Sequence, residues 1–135
     1  MTTQPTPADE LRTAAEKLRK LAMPVAEQHP GPWNVHNPNG YPQAVLSPAA
    51  DVILCETLDE IDAPKPTAPY IAAMHPGVGL ALADWLEAAA HHYECGIRAA
   101  DDVFRNDPAG RDAFLTTGPG APSPQALAVA RAINA

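Results

Sequence analysis

The densest group of potential metal ligands in the sequence is the run His91, His92 and Cys95. On a continuous helix His91 and Cys95 are four residues apart and share a face, and His92 is three residues from the same cysteine. Imidazole and thiolate are ligands that zinc prefers, so two of these side chains can meet one ion. Further ligands would have to come through the fold from His29, His36 or Cys55. The competing interpretation is a frayed helix end, where histidine is favoured by the negative end of the helix dipole.

A second candidate site is the predicted helix start at His75, which precedes Pro76 and takes the N-cap position. Unpaired N–H groups at a helix start can bind an anion such as phosphate, and Gly77 and Gly79 permit close approach. This pattern indicates a small-molecule or nucleotide-phosphate site. The alternative is an ordinary cap whose ring closes the helix start. A Gly-x-Gly pair is a weak signal here, because the preceding strand and the other glycines of a dinucleotide fingerprint are absent.

The remaining reactive residue types give no recognisable catalytic pattern. Trp33 and Tyr41 are candidates for lining a pocket beside a predicted sheet, with core packing as the alternative. Ser47 and Ser123 are explained by a turn and a helix cap, and no nucleophile elbow or Cys-His signature is present. Five carboxylates fall at a strand end and in a loop, which favours solvated charge: Asp51, Glu56, Asp59, Glu60 and Asp62. We therefore favour a protein that is not an enzyme, with no catalytic residue and no cofactor to name.

Charge and composition exclude several classes of function. Nine Lys and Arg stand against 16 Asp and Glu, which gives a net charge of -7. Because affinity for nucleic acid comes largely from clustered basic residues, a nucleic-acid surface is not expected. No signal-peptide pattern opens the chain and no run approaches the ~18 apolar residues of a membrane span, so we expect a cytoplasmic protein without a membrane segment. Cys55 and Cys95 are then expected to be reduced and buried.

Length predicts a single domain over 1–135, and 16 prolines predict short elements with stiff connectors. The first helix is expected over 7–23, with Thr6 as N-cap and Pro7 at the first helical position. Pro24 is expected to end this helix at about Met23, with an irregular or second short turn through Val25 to His29. After the turn-forming sequence HPGPW, three short alternating segments over 32–57 predict an antiparallel meander. The segment 52–55 is apolar on both faces, so we expect it in the best-covered strand.

A broken central helix is predicted over 68–95, with a step at His75. Its expected core stripe follows helical spacing: Val78, Leu82, Trp85, Leu86, Ala89 and Tyr93. Alanines such as Ala83 and Ala90 leave room for close approach by another helix of the same chain or by a symmetry mate.

The region 96–122 is interpreted as a variable insertion or linker. The alternatives there are a continued central helix past Gly96 and a short helix that begins at Asp107-Pro108 and ends near Leu115. Ser123 and Pro124 then open a closing helix over 123–134, in which Leu127, Ala130 and Ile133 face inward.

Three segments in this order carry a resemblance: PGPW at Pro30–Trp33, YIAAMHP at Tyr70–Pro76 and ALAVARAI at Ala126–Ile133. The arrangement resembles small phage-borne and actinobacterial proteins of unknown function and, more distantly, the Ead-like early proteins of temperate phages. The resemblance omits 96–122. It implies a mobile-element origin and a similar fold, with no catalytic residues to transfer.

Together these patterns predict an α+β fold in which a small three-stranded antiparallel sheet packs on a long central helix, flanked by N- and C-terminal helices. For function we favour a non-enzymatic accessory or interaction protein of phage or prophage origin that binds a phage or host protein. We expect a homodimer formed through the alanine-rich helical surface. The alternative is a small-molecule or nucleotide-phosphate binder that uses the helix start at His75.

Overall fold

The structure is a computed structural model that describes residues 4–135, and within this range the chain forms helices and one antiparallel sheet. The helices are α1 (Pro7–Gln28), α2 (Thr67–Ala73), α3 (Pro76–Val103), α4 (Pro108–Thr116) and α5 (Pro124–Asn134). The strands are β1 (Asn34–His36), β2 (Gln43–Ser47) and β3 (Val52–Thr57). The fold is therefore α+β, as the sequence predicts, and the three-stranded meander is confirmed.

The chain divides into two compact units. The helical unit consists of the chain up to Leu18 together with Leu82–Ala135, and the sheet unit consists of Arg19–Ala81. The sequence predicts one domain over 1–135, whereas each of these units has its own cluster of buried apolar residues.

The core of the helical unit is built mainly from alanine. Its buried residues come from α1, α3 and α5: Ala8, Leu11, Ala14, Ala15, Ala83, Leu86, Ala90, Ala126, Leu127 and Ala130. Within each helix they are spaced one, three or four residues apart, so each helix turns one face inward. The inward face predicted for the closing helix is confirmed, since Leu127 and Ala130 are buried and Ile133 packs against them.

The predicted stripe on α3 is confirmed in part, since Leu86 is buried in the core and Ala89 and Tyr93 pack against it. Ala83, Leu86 and Ala90 are fully buried, whereas Trp85, predicted to be core, is 42% exposed and Leu82 is half-buried. Alanines on all three helices allow close helix packing, and an indole ring does not fit such an interface. Of the two roles predicted for Ala83 and Ala90, the structure shows packing against helices of the same chain.

Three helix starts follow the capping patterns of the sequence. At the start of α1 the Thr6 hydroxyl accepts a hydrogen bond from the Asp9 N–H at 3.1 Å, and the Asp9 carboxylate accepts from the Thr6 N–H at 3.2 Å. Asp107 accepts from the Gly110 N–H at the start of α4, and Ser123 accepts from the Ala126 N–H at the start of α5. These caps satisfy N–H groups that a helix start would otherwise leave unpaired.

Two predicted helix boundaries are wrong. α1 continues through Pro24 to Gln28, because proline removes one backbone donor but the following turn still forms, with the His29 N–H bonded to the Val25 carbonyl at 2.7 Å. α3 likewise continues past Gly96 to Val103. The region 96–122 therefore holds two more turns of α3 and all of α4. This agrees with the alternative prediction of a continued helix followed by a short one, and not with an insertion or linker.

In the sheet unit β2 is the central strand, between β1 and β3. β2 is almost entirely buried, while β3 lies at the edge and exposes Ile53. The expectation that 52–55 forms the best-covered strand is thus wrong. These four residues are apolar, but the strand that holds them is only partly buried. Val45 pairs with Cys55, whereas the next residue, Leu46, pairs with Ile53. Leu54 is therefore left without a partner on β2 and forms a β-bulge in β3.

One face of the sheet packs against α2, the segment of the predicted central helix that precedes the step at His75. Val45 of β2 is buried against Ala68 and Ala72 of α2. The surrounding half-buried residues are Trp33, Val35, Leu54, Cys55 and Ile71. The long helix after the step contributes its core residues to the helical unit instead.

Candidate functional site

His75 acts as the cap of α3. Its Nδ1 accepts a hydrogen bond from the Gly77 N–H at 3.2 Å, and its carbonyl accepts from the N–H of Val78 at 2.9 Å. A β-carbon at Gly77 would lie 2.9 Å from Cε1 of the same ring, so the missing side chain lets the imidazole fold over the helix start. One N–H group that the predicted anion site would offer is thus already bound to the protein's own side chain. Gly79, the other predicted glycine, lies against Cβ of Ala22.

The turn at 29–33 closes around His75. A β-carbon at Gly31 would lie 2.9 Å from Cγ of His75 and would overlap Nδ1 more closely still, so only glycine permits this approach. Trp33 donates its indole N–H to the His29 carbonyl at 2.9 Å. The carbonyl of Pro30 accepts from the Ser47 hydroxyl, also at 2.9 Å. These contacts give the turn a structural role.

The two predicted pocket aromatics are in different environments. Trp33 packs against the cluster of Val45, Ala68 and Ala72. This agrees with the alternative of core packing for this residue. Tyr41 is exposed. Neither residue is among those that line the clefts described below.

The predicted metal ligands are only partly brought together on α3. His91 Nε2 lies 3.6 Å from Cys95 Sγ, and Arg98 donates to the same sulfur at 3.2 Å. His92 is exposed. Within residues 4–135, no three side chains of the types His, Cys, Asp and Glu are placed to share a metal ion. Cys55 and Cys95 are both free, and both are half-buried rather than fully buried as expected.

The loop carboxylates are either hydrogen-bonded to Thr67 or exposed. Asp59 accepts from the Thr67 hydroxyl at 2.6 Å and from the Thr67 N–H at 3.2 Å, which fixes the loop to the start of α2. Glu56, Glu60 and Asp62 are exposed. This arrangement agrees with solvated loop charge rather than a pair of catalytic carboxylates.

Two open clefts lie in the helical unit. The first, of about 360 Å³, is lined by Pro5, Glu10, Thr13, Arg131, Asn134 and Ala135. Arg131 donates two hydrogen bonds to the Glu10 carboxylate there, at 3.1 and 3.2 Å, and this hydrogen bonding and then the charge of Glu10 raise the pKa of Arg131. The second, of about 540 Å³, lies between the end of α4 and the start of α5 and is also bordered by Arg131. In both clefts the one basic side chain is already paired with a carboxylate.

A surface that the sequence interpretation missed lies on and after β3. Ile53 is 55% exposed, Leu58 is 73% exposed and Ile61 is 64% exposed. We call these three residues the β3 surface. The signal was present in the sequence, since 52–55 is apolar on both faces and Leu58 and Ile61 interrupt an otherwise acidic loop.

None of the helices in residues 4–135 is long and apolar enough to cross a membrane. Comparisons with protein-family models, with curated proteins and with solved structures found no match for this chain. Its function is therefore argued from its own residues.

Proposed function

We propose that this protein is a non-enzymatic interaction protein of phage or prophage origin, and that it binds a phage or host protein through the sheet unit. The observation that carries the proposal is the β3 surface, where three large apolar side chains are exposed to solvent. Burying one such side chain completely stabilises a complex by about 1.5–3 kcal/mol relative to leaving it exposed. A partner that covers all three residues therefore gains a substantial apolar contact.

The suggested origin rests on the phage resemblance, and two of the three segments that carry it contact each other. PGPW and YIAAMHP lie far apart in the sequence but meet in the sheet unit, where Gly31 contacts His75. Trp33 and Ile71 also pack around the same buried cluster. The residues behind the resemblance thus form a shared structural feature rather than a reaction centre.

The alternative function, binding of a nucleotide phosphate at His75, has less support. The Gly77 N–H is bonded to His75 Nδ1 and the ring covers the helix start. A phosphate would have to displace this ring. Thermal-shift measurements with nucleotides separate the two proposals, because a ligand that binds only the folded state raises the unfolding midpoint. We expect no shift.

The burial of Ala83 and Ala90 argues against these two alanines as part of a homodimer interface. Ala83 and Ala90 are fully buried in the helical unit. A homodimer therefore requires other residues, and sedimentation equilibrium distinguishes the monomer mass from its double.

A comparative pull-down tests the interaction proposal. The bait proteins are the wild type, the double variant Leu58→Asp/Ile61→Asp and the control Val103→Asp, in which a residue of the helical unit with 72% exposure is changed. We expect a specific host or phage protein to be retained by the wild type and the control, and lost from the double variant. Equal retention by all three baits would contradict a role for the β3 surface.

A further inference from the structure

We infer that β3 accepts an extended, positively charged segment of a partner protein as a fourth strand of the sheet. This inference rests on the proposed interaction function, and it specifies the chemistry of the partner and the way it is held. Three observations lead to it: the open edge of the strand, the charge around it and the apolar side chains beside it.

The outer edge of β3 has free hydrogen-bonding groups. β3 pairs with β2 on one side, and within residues 4–135 no other backbone or side-chain hydrogen bond reaches Val52–Thr57. In an antiparallel pair, alternate residues direct their N–H and C=O groups away from the partner strand. These groups of β3 are therefore available to another extended chain.

β3 also lacks most of the features that protect sheet edges. The opposite edge strand, β1, has three residues, whereas β3 has six and contains neither Lys nor Pro. The bulge at Leu54 and the charged side chain of Glu56 are its protective features, and the bulge divides the edge into two short stretches. We therefore expect an added strand to pair with only a few residues and to bind with modest affinity.

Charge selects the type of strand. Between Asp51 and Asp62 the chain holds five carboxylates and no Lys or Arg. Lys65, the next basic residue along the chain, donates to the carbonyls of Ile61 and Ala63. A second copy of this chain would bring five more carboxylates to the same edge, so repulsion disfavours pairing of two β3 strands. A segment rich in Lys or Arg is complementary to this edge.

The exposed apolar residues complete the recognition pattern. Successive side chains of an added strand point to opposite faces of the sheet. Ile53 and Glu56 lie on the same face of β3, the face that points away from α2, because Cys55 and its partner Val45 belong to the cluster around Ala68 and Ala72 on the other face. The side chains of an added strand on this face therefore meet both an apolar and an acidic residue. The expected partner segment combines apolar and basic residues.

Binding of defined peptides tests this inference. The probe is a fluorescent peptide of about eight residues that alternates Lys and Val, a length typical of a strand. Two matched peptides replace every Lys by Glu, or place Pro at the centre where it interrupts strand pairing. The protein is used as wild type, as Ile53→Lys, which places a positive charge beside the edge, and as Val103→Lys, which makes the same charge change at an exposed site of the helical unit.

We expect the Lys-Val peptide to bind the wild type and Val103→Lys with equal affinity, and more weakly as salt is raised. The acidic peptide, the Pro peptide and the Ile53→Lys variant should each weaken binding about tenfold or more. The inference is overturned if the Lys-Val peptide fails to bind at about 1 mM, if the Pro peptide binds equally well, or if Ile53→Lys has no effect.

Failure of strand addition can be distinguished from failure of the proposed function. A partner that is lost from Leu58→Asp/Ile61→Asp but still retained by Ile53→Lys leaves the interaction function standing and excludes β3 as its pairing edge. Absence of any specifically retained protein from every bait, the wild type included, contradicts the interaction function itself.

Discussion

Gly31 lies directly against the imidazole of His75, although the two residues are far apart in the sequence. A β-carbon at Gly31 would come within 2.9 Å of Cγ and 3.1 Å of Cε1 of the ring. The same ring accepts a hydrogen bond from the Gly77 N–H. The turn at 29–33 and the start of α3 are thus fitted to each other through one histidine side chain.

The first prediction concerns this contact. Gly31→Ala should lower the free energy of unfolding by about 1–3 kcal/mol, because the added methyl group overlaps His75. The backbone of Gly31 does not require a positive φ, so the loss would come from the overlap itself. Urea denaturation measures the change.

Two controls accompany Gly31→Ala. Gly96→Ala adds a methyl group within α3, where the nearest atoms lie 3.7 Å away, and should raise stability by about 0.5–1 kcal/mol. In a His75→Ala background, Gly31→Ala should cost much less than in the wild type. An equal loss in both backgrounds would show that His75 is not the cause.

The second prediction concerns the alanine core of the helical unit. Ala90→Glu should lower the free energy of unfolding by about 3 kcal/mol or more, because it buries an unpaired charge. Ala88→Glu changes an exposed residue of the same helix and should alter stability by less than about 0.5 kcal/mol. If both variants were equally stable, Ala90 could not lie in the packed core.

The third prediction concerns a buried polar pair at one end of the sheet. Gln43 and Thr57 face each other in the register of β2 and β3, and Oε1 of Gln43 and Oγ1 of Thr57 are buried without a hydrogen-bond partner among the described residues. Thr57→Val removes the hydroxyl and keeps the shape, so it should raise the free energy of unfolding by about 1 kcal/mol.

Thr67→Val provides the matched control for Thr57→Val. The Thr67 hydroxyl donates to Asp59 at 2.6 Å, so its removal should lower stability by about 1 kcal/mol. A loss of stability in Thr57→Val would instead mean that its hydroxyl has a partner in solution.

The fourth prediction concerns the His91–Cys95 pair. Two side chains are too few for a stable tetrahedral zinc site. In the described part of the chain, no third His, Cys, Asp or Glu side chain is placed to share an ion with this pair. Purified protein should therefore contain no stoichiometric zinc by elemental analysis, and added zinc should leave the unfolding midpoint unchanged. Retention of one zinc ion that is lost in Cys95→Ser would contradict this interpretation.

The predictable parts of the fold are those that local chemistry determines. Thr6, Asp107 and Ser123 cap helices because each precedes a proline and can accept a backbone N–H in the first turn. The meander is marked by alternating residues and turn formers. These signals act over a few residues, so the sequence contains them directly.

Other features depend on contacts between distant residues. The exposure of Trp85 follows from alanines on α1 and α5 that select a different face of α3. The edge position of β3 follows from the order of strands, which apolar content alone does not give. The cap role of His75 is one of two predicted roles, and the hydrogen bond from the Gly77 N–H to its ring, which favours that role, is seen only in the folded chain.

The most direct test of the account is amide hydrogen exchange of the full chain with and without the Lys-Val peptide. Strand addition predicts slower exchange for outward-facing N–H groups of Val52–Thr57, while exchange in α5 stays unchanged. The Pro peptide should produce no such protection. Binding of the Lys-Val peptide without added protection in β3, or with protection confined to the helical unit, would contradict the central claim that this edge is where the protein binds its partner.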